Sequence, residues 1–143
     1  MKLKNETLSK NFLIYGFGKS GISSLKYLKK KNRCFIFDDD KKKIKNKYKK
    51  FFISKSKLLN NNFDYIVISP GININRCQLS NYLKKNQKKI ITDFDIFYKF
   101  NPEVLTITIT GTNGKSTTSK LLYDILKKHN YDTRLTGNIG NPI

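Results

Sequence analysis

The chain has 143 residues, enough for one ordinary domain, or for one small domain and the opening of another. Hydrophobic residues make up 38% and aromatics 13%, which excludes a wholly disordered chain. The formal charge of +19 is carried by lysine, which outnumbers arginine roughly nine to one, and a base-reading protein would favour arginine's planar fork.

The sequence has neither alanine nor tryptophan and abundant asparagine, the bias of an AT-rich coding sequence. We therefore read the lysines as a solvated surface whose field favours anionic small molecules, with no nucleic-acid partner. No apolar run approaches the ~18–20 residues of a membrane-spanning helix, so no membrane partner is expected either. Cys34 and Cys77 fit neither a metal spacing nor a disulfide framework. A cytoplasmic protein is expected.

In chain order, Phe12–Tyr15 is a short apolar run ending at Gly16 and reads as a buried parallel strand. Ile22, Leu25 and Leu28 recur at helical spacing, predicting a helix of about ten residues. Cys34–Phe37 is a second strand, closed by Asp38, Asp39 and Asp40. Lys41–Lys50 reads as a short basic helix with Ile44 and Tyr48 on its buried side, and Phe51–Ile53 as a third strand. Tyr65–Ile68 is the clearest strand and runs into Ser69-Pro70-Gly71. A helix over Leu79–Lys85, a short strand at Ile90–Ile91 and an amphipathic segment Phe94–Phe100 follow. This β-α repetition predicts an α/β, Rossmann-like open parallel sheet with helices on its faces.

Asn101-Pro102 punctuates the chain. Beyond it, Val104–Thr110 alternates Thr with Ile and Leu, predicting a strand that feeds Gly111–Ser116. A helix over Ser116–Lys128 follows, with Leu121, Leu122, Ile125 and Leu126 on its apolar side. Thr133–Thr136 reads as the start of another strand. The expected organisation is a complete domain over residues 1–100 and the incomplete start of a P-loop-type α/β ATPase domain over 101–143.

Two glycine-rich loops carry the chemistry. Gly111-Thr112-Asn113-Gly114-Lys115-Ser116 lies between the predicted strand and helix, where two glycines let successive N–H groups point inward at phosphate oxygens. Lys115 would reach the outer phosphates, and the Ser116 hydroxyl would ligate Mg²⁺. Only two residues separate these glycines, where a standard P-loop has four.

Gly16-Phe17-Gly18-Lys19-Ser20-Gly21 has the G-x-G-x-x-G spacing of a dinucleotide fold, with Asp38 at the end of the next strand. The pattern indicates a nucleotide diphosphate without fixing NAD, because a carboxylate there serves a ribose or the imide N–H of a uracil. Capping and ligand binding are equally open for Asp38, while Asp39 and Asp40 read as caps. Ser69-Pro70-Gly71 sits at a strand end where open sheets bind ligands, or is only a turn. His129 reads as a solvated, dipole-complementing histidine, and Asp93 and Asp95 as solvent-facing or capping residues.

The run Thr110-Gly111-Thr112-Asn113-Gly114-Lys115-Ser116-Thr117-Thr118 resembles the shortened ATP loop of the Mur ligases. Gly16–Gly21, Asp64–Ile72 (D-Y-I-V-I-S-P-G-I) and Gly137–Pro142 (G-N-I-G-N-P) resemble the D-glutamate-adding member of that family. Lys19 and Asp39 in the uridine-side loops, the composition and the length depart from its pattern.

The resemblance implies a ligase that joins D-glutamate to UDP-N-acetylmuramoyl-L-alanine at the expense of ATP, through an acyl phosphate, in peptidoglycan precursor synthesis. It implies ATP on Gly111, Thr112, Asn113, Gly114, Lys115, Ser116, Thr117 and Thr118, with Mg²⁺ on Ser116. It implies the UDP-sugar on Gly18, Lys19, Ser20, Asp38, Asp39 and Gly71, and Asn138 beside Lys115 at the reacting carboxylate. It further implies a monomer, and further Mg²⁺ ligands and a D-glutamate-binding domain beyond Ile143, so that the chain alone would be inactive. Another Mur ligase, a stand-alone NAD(P)-binding module and a basic nucleic-acid-binding protein are the competing readings.

Overall fold

The computed structural model describes residues 9–40 and 46–137. Strand β1 (Asn11–Tyr15) pairs in parallel with β2 (Arg33–Phe37) on one side and with β3 (Tyr65–Ile68) on the other. Strand β4 (Ile90–Ile91) extends the sheet beyond β3, giving the order β2-β1-β3-β4. The registers run Phe12 against Cys34 and Tyr65, through to Tyr15 against Phe37 and Ile68.

Both faces of the sheet are covered, which is why its strands are continuous apolar runs. Side chains alternate along each strand. Phe12, Ile14, Cys34, Ile36 and Val67 enter one core with Leu25 and Leu28 of helix α1 (Lys19–Leu28) and Ile96 of helix α4 (Asp93–Phe100). Leu13, Tyr15, Phe37, Ile66 and Ile68 enter the other, with Leu58 of α2 (Lys55–Leu59) and Leu83 of α3 (Ser80–Lys85). Leu13, Ile14, Tyr15, Ile36 and Ile66 are wholly buried, each contributing ~1.5–3 kcal/mol relative to exposure. Thr92 caps α4 reciprocally: its hydroxyl accepts from the Asp95 amide at 3.3 Å, and the Asp95 carboxylate accepts from the Thr92 amide at 2.7 Å.

Four predicted elements are corrected. Phe51–Ile53 is not a strand. A 3₁₀ turn over Asn46–Phe51 runs directly to Ser54, which caps α2, leaving room for one parallel bridge between Ile36 and Phe52 and a bond from the Ile53 amide to the Ile36 carbonyl. The Lys41–Lys50 helix is, in its described part, that same 3₁₀ turn with Tyr48 buried; residues 41–45, Ile44 among them, lie outside the described residues. Val104–Thr110 forms no strand, and Leu105 is 96% and Ile107 66% exposed. Its alternation supplies propensity, but no strand among the described residues offers it a ladder.

Residues 133–135 likewise form no regular structure, and Thr136 makes only an isolated bridge. Helix α5 (Lys115–Lys128) forms as expected, with no buried residue; Leu121 and Ile125 are exposed. No helix among the described residues is long and apolar enough to cross a membrane.

Candidate functional site

The chain leaves β1 to build β2 on one side and returns to build β3 on the other. The carboxyl ends of β1 and β3 therefore flank a topological switch point, where open parallel sheets leave a crevice. Gly16 opens that edge with φ +89°, a conformation other residues rarely adopt. Its N–H donates to the Phe37 carbonyl at 3.0 Å, and its own carbonyl accepts from Ser69 Oγ at 2.8 Å, stitching the ends of all three strands together. A Cβ on Gly21 would lie 2.1 Å from the Gly16 carbonyl oxygen, so the last glycine of the motif is what lets α1 start against the strand end. A Cβ on Gly18 would meet nothing within 4 Å. Gly18 precedes α1, which has no side-chain cap and no acidic residue in its first turn, and Lys19 beside it is exposed. That open, uncapped turn is suited to an anion.

The carboxylates at the end of β2 divide the work. Asp38 is buried; its Oδ2 accepts from the Phe17 amide at 2.6 Å and its Oδ1 from the Asp40 amide at 2.8 Å. It thus holds the glycine loop against β2. Asp39 is exposed and accepts from the hydroxyl of buried Tyr15, at 2.9 and 3.0 Å to its two oxygens. Burial, followed by hydrogen bonding to Cys77 and Asp39, pushes the Tyr15 hydroxyl far above the usual phenol range, so it stays a neutral donor. Gly71 is exposed in the turn closed by the Ile72 amide on the Ser69 carbonyl. Gly18, Asp38, Asp39 and Gly71 on loops, and Lys19 and Ser20 in the first turn of α1, thus lie at one end of the sheet.

The second loop has its own geometry. Gly111 (φ +149°) and Gly114 (φ +76°) both take positive φ, and Gly114 precedes α5 without any side-chain cap. Residues 111–118 are all exposed. The Lys115 ammonium folds back over the loop onto the carbonyls of Gly111 and Thr112. Asn138 lies outside the described residues. His129 ends α5, exposed, its amide on the Ile125 carbonyl, in keeping with the dipole reading. Asp95 caps as expected, whereas Asp93 is buried in the first turn of α4.

Residues 10–92, more than half of the chain, match the family model of the Mur ligase MurD-like N-terminal domain. The chain belongs to the MurD-like Mur ligases. Proteins named UDP-N-acetylmuramoylalanine–D-glutamate ligase from Rickettsia bellii and Clostridioides difficile are 34% and 33% identical over 93% and 94% of this chain. The alignments cover 30% and 32% of those proteins, so the chain spans about a third of their length. A ligase of the same name from Francisella tularensis is 42% identical over 84 residues, 57% of this chain and 20% of its own.

The MurD-like match covers the whole switch-point edge, including Tyr15, which reading the sequence did not single out, and the Ser69 hydroxyl, whose bond to Gly16 it did not show. A tyrosine ending an apolar run, one residue before a glycine loop, is the signal that points to the first. The second needed the fold, because Gly16 and Ser69 are 53 residues apart.

Proposed function

We propose that this MurD-like chain binds a uridine nucleotide-sugar at the switch point and ATP at Gly111–Thr118, as part of a ligase that adds D-glutamate to UDP-N-acetylmuramoyl-L-alanine. The observation carrying the reading is the convergence of Gly16–Gly21, Asp38, Asp39 and Ser69–Gly71 on one sheet edge, within a matched MurD-like segment. Under it, residues 1–100 form the uridine-binding domain, and residues 101–143 the opening of the ATP-binding one. The protein would act as a cytoplasmic monomer in peptidoglycan precursor synthesis.

At the first site the diphosphate lies at the α1 N-terminus, contacted by the Gly18 and Lys19 backbone and the Ser20 hydroxyl, and Gly18 leaves room for close approach. Asp38 fixes the loop, and Asp39 and Gly71 face the nucleoside. At the second, the Gly111–Gly114 backbone cradles ATP with Thr117 and Thr118 beyond it, and Lys115 exchanges its two carbonyl partners for phosphate oxygens. The positive-φ glycines and the uncapped α5 terminus fit that role.

The residues present also fit Mg²⁺. This ion keeps several waters and takes most of its remaining ligands from phosphates, so the Ser116 hydroxyl would supply one of its few protein ligands. When bound, Mg²⁺ supplies charge neutralisation at the terminal phosphates.

In the proposed reaction the alanyl carboxylate oxygen attacks the γ-phosphorus and ADP leaves. The D-glutamate amine then attacks the acyl-phosphate carbonyl, loses a proton and expels inorganic phosphate. Lys115 offsets the charge built up as two anions meet, and Asn138 would orient the acyl group. Binding of UDP-N-acetylmuramoyl-L-alanine and of magnesium-ATP, measured separately, tests the two halves. Preference for a nicotinamide dinucleotide over UDP would favour the NAD(P)-module reading instead.

A further inference from the structure

Asp39 is an exposed carboxylate at the end of β2, and its hydrogen-bond donor comes from inside the molecule. Tyr15 is wholly buried, packs edge-on against Phe37 with ring centroids 5.5 Å apart, and reaches Asp39 with both O···O distances near hydrogen-bond ideal. Such a phenol is locked at both torsions by the core, so it holds the carboxylate it touches in one orientation. An ionised carboxylate only accepts hydrogen bonds. The ring N3 of uracil carries a proton and can donate to it, whereas the same atom of cytosine presents a lone pair and is repelled.

Resting on the uridine-nucleotide reading, we propose that Tyr15 is a positioning residue for the nucleobase, fixing the Asp39 carboxylate as an acceptor that selects uracil over cytosine. Discrimination of this kind comes from repulsion of the wrong base as much as from attraction of the right one. The neutral, strongly held phenol proton suits the role, because Tyr15 remains a donor throughout the working pH range.

The test titrates the 143-residue chain and its Tyr15→Phe variant with UDP and with CDP by calorimetry. The wild type should prefer UDP. Tyr15→Phe, which keeps the ring and its packing, should weaken UDP by about threefold to tenfold and leave CDP unchanged, so that the UDP:CDP ratio falls. Asp39→Asn, at an exposed position, should lose the preference as well, because an amide can donate to cytosine; this variant carries the test if Tyr15→Phe does not fold. An unchanged ratio in either variant, or equal loss for both nucleotides, overturns the role of Tyr15 while the nucleotide site stands. A wild type that binds UDP no better than CDP also overturns it. Absence of UDP binding to the wild type overturns the underlying reading together with the proposal.

Discussion

Replacing Asp38 by alanine removes both acceptors that pin the glycine loop to the sheet. The bond from the Phe17 amide is short, 2.6 Å, and buried, and Phe17 is only 3% exposed, so the orphaned amide cannot turn to water. A bond to a charged acceptor with a buried donor left behind is worth ~1.5–3 kcal/mol. The Asp40 amide, 2.8 Å from the other oxygen, belongs to an exposed residue and can rehydrate, adding only ~0.5–1 kcal/mol. The expected loss is therefore about 2–4 kcal/mol, a fall of ~1–2 M in the urea midpoint at an unchanged slope of ~2 kcal/mol/M. Asp38→Asn retains the volume and one acceptor, so it should fall between alanine and wild type. Urea unfolding followed by far-UV circular dichroism measures both. A loss below ~0.5 kcal/mol for alanine would refute the stapling role. So would an asparagine variant less stable than the alanine one.

Gly21→Ala should destabilise the chain by more than ~2 kcal/mol in the same assay, since its Cβ would stand 2.1 Å from the backbone oxygen of Gly16. Gly18→Ala should fold normally, having open space around its Cβ, yet lower UDP affinity about tenfold by blocking backbone approach, as calorimetry would show. Lys115→Ala, at an exposed position, should leave stability within ~0.5 kcal/mol and UDP binding intact while weakening magnesium-ATP about tenfold or more. Burial raises the Cys34 thiol from 9.0 to about 11. Between those values the unfolded chain sheds a proton that the folded chain keeps, so this thiol's contribution to stability falls as pH rises through that window. At pH 8, iodoacetamide should label half-buried Cys77 and reach Cys34 only after denaturation, as mass spectrometry of peptides would report.

The sheet was legible wherever a strand is buried on both faces. Phe12–Tyr15, Cys34–Phe37 and Tyr65–Ile68 are unbroken apolar runs because helices cover both sides, and each ends at a turn residue or an aspartate. Helix α2 was not legible: five residues with only Leu58 buried carry no period that a sequence can display. Val104–Thr110 shows the reverse error. Its alternation is that of a strand, but a strand exists only through a neighbour, and alternation is silent on whether one is there. The two candidate loops were read from glycine spacing, which backbone geometry dictates directly. What spacing could not separate was the role of adjacent aspartates. Asp38 turns inward to two amides and Asp39 outward with a tyrosine behind it, a difference set by the path of the chain around β1.

Everything proposed here rests on a uridine nucleotide at the β1/β3 switch point. That occupancy is tested most directly by titrating the chain with UDP-N-acetylmuramoyl-L-alanine and with NAD, each in competition with UDP. One site per chain is expected, occupied by UDP and by the UDP-sugar in mutual competition, with NAD unable to displace either. Tighter binding of NAD than of UDP, or no binding of either uridine compound, would contradict it.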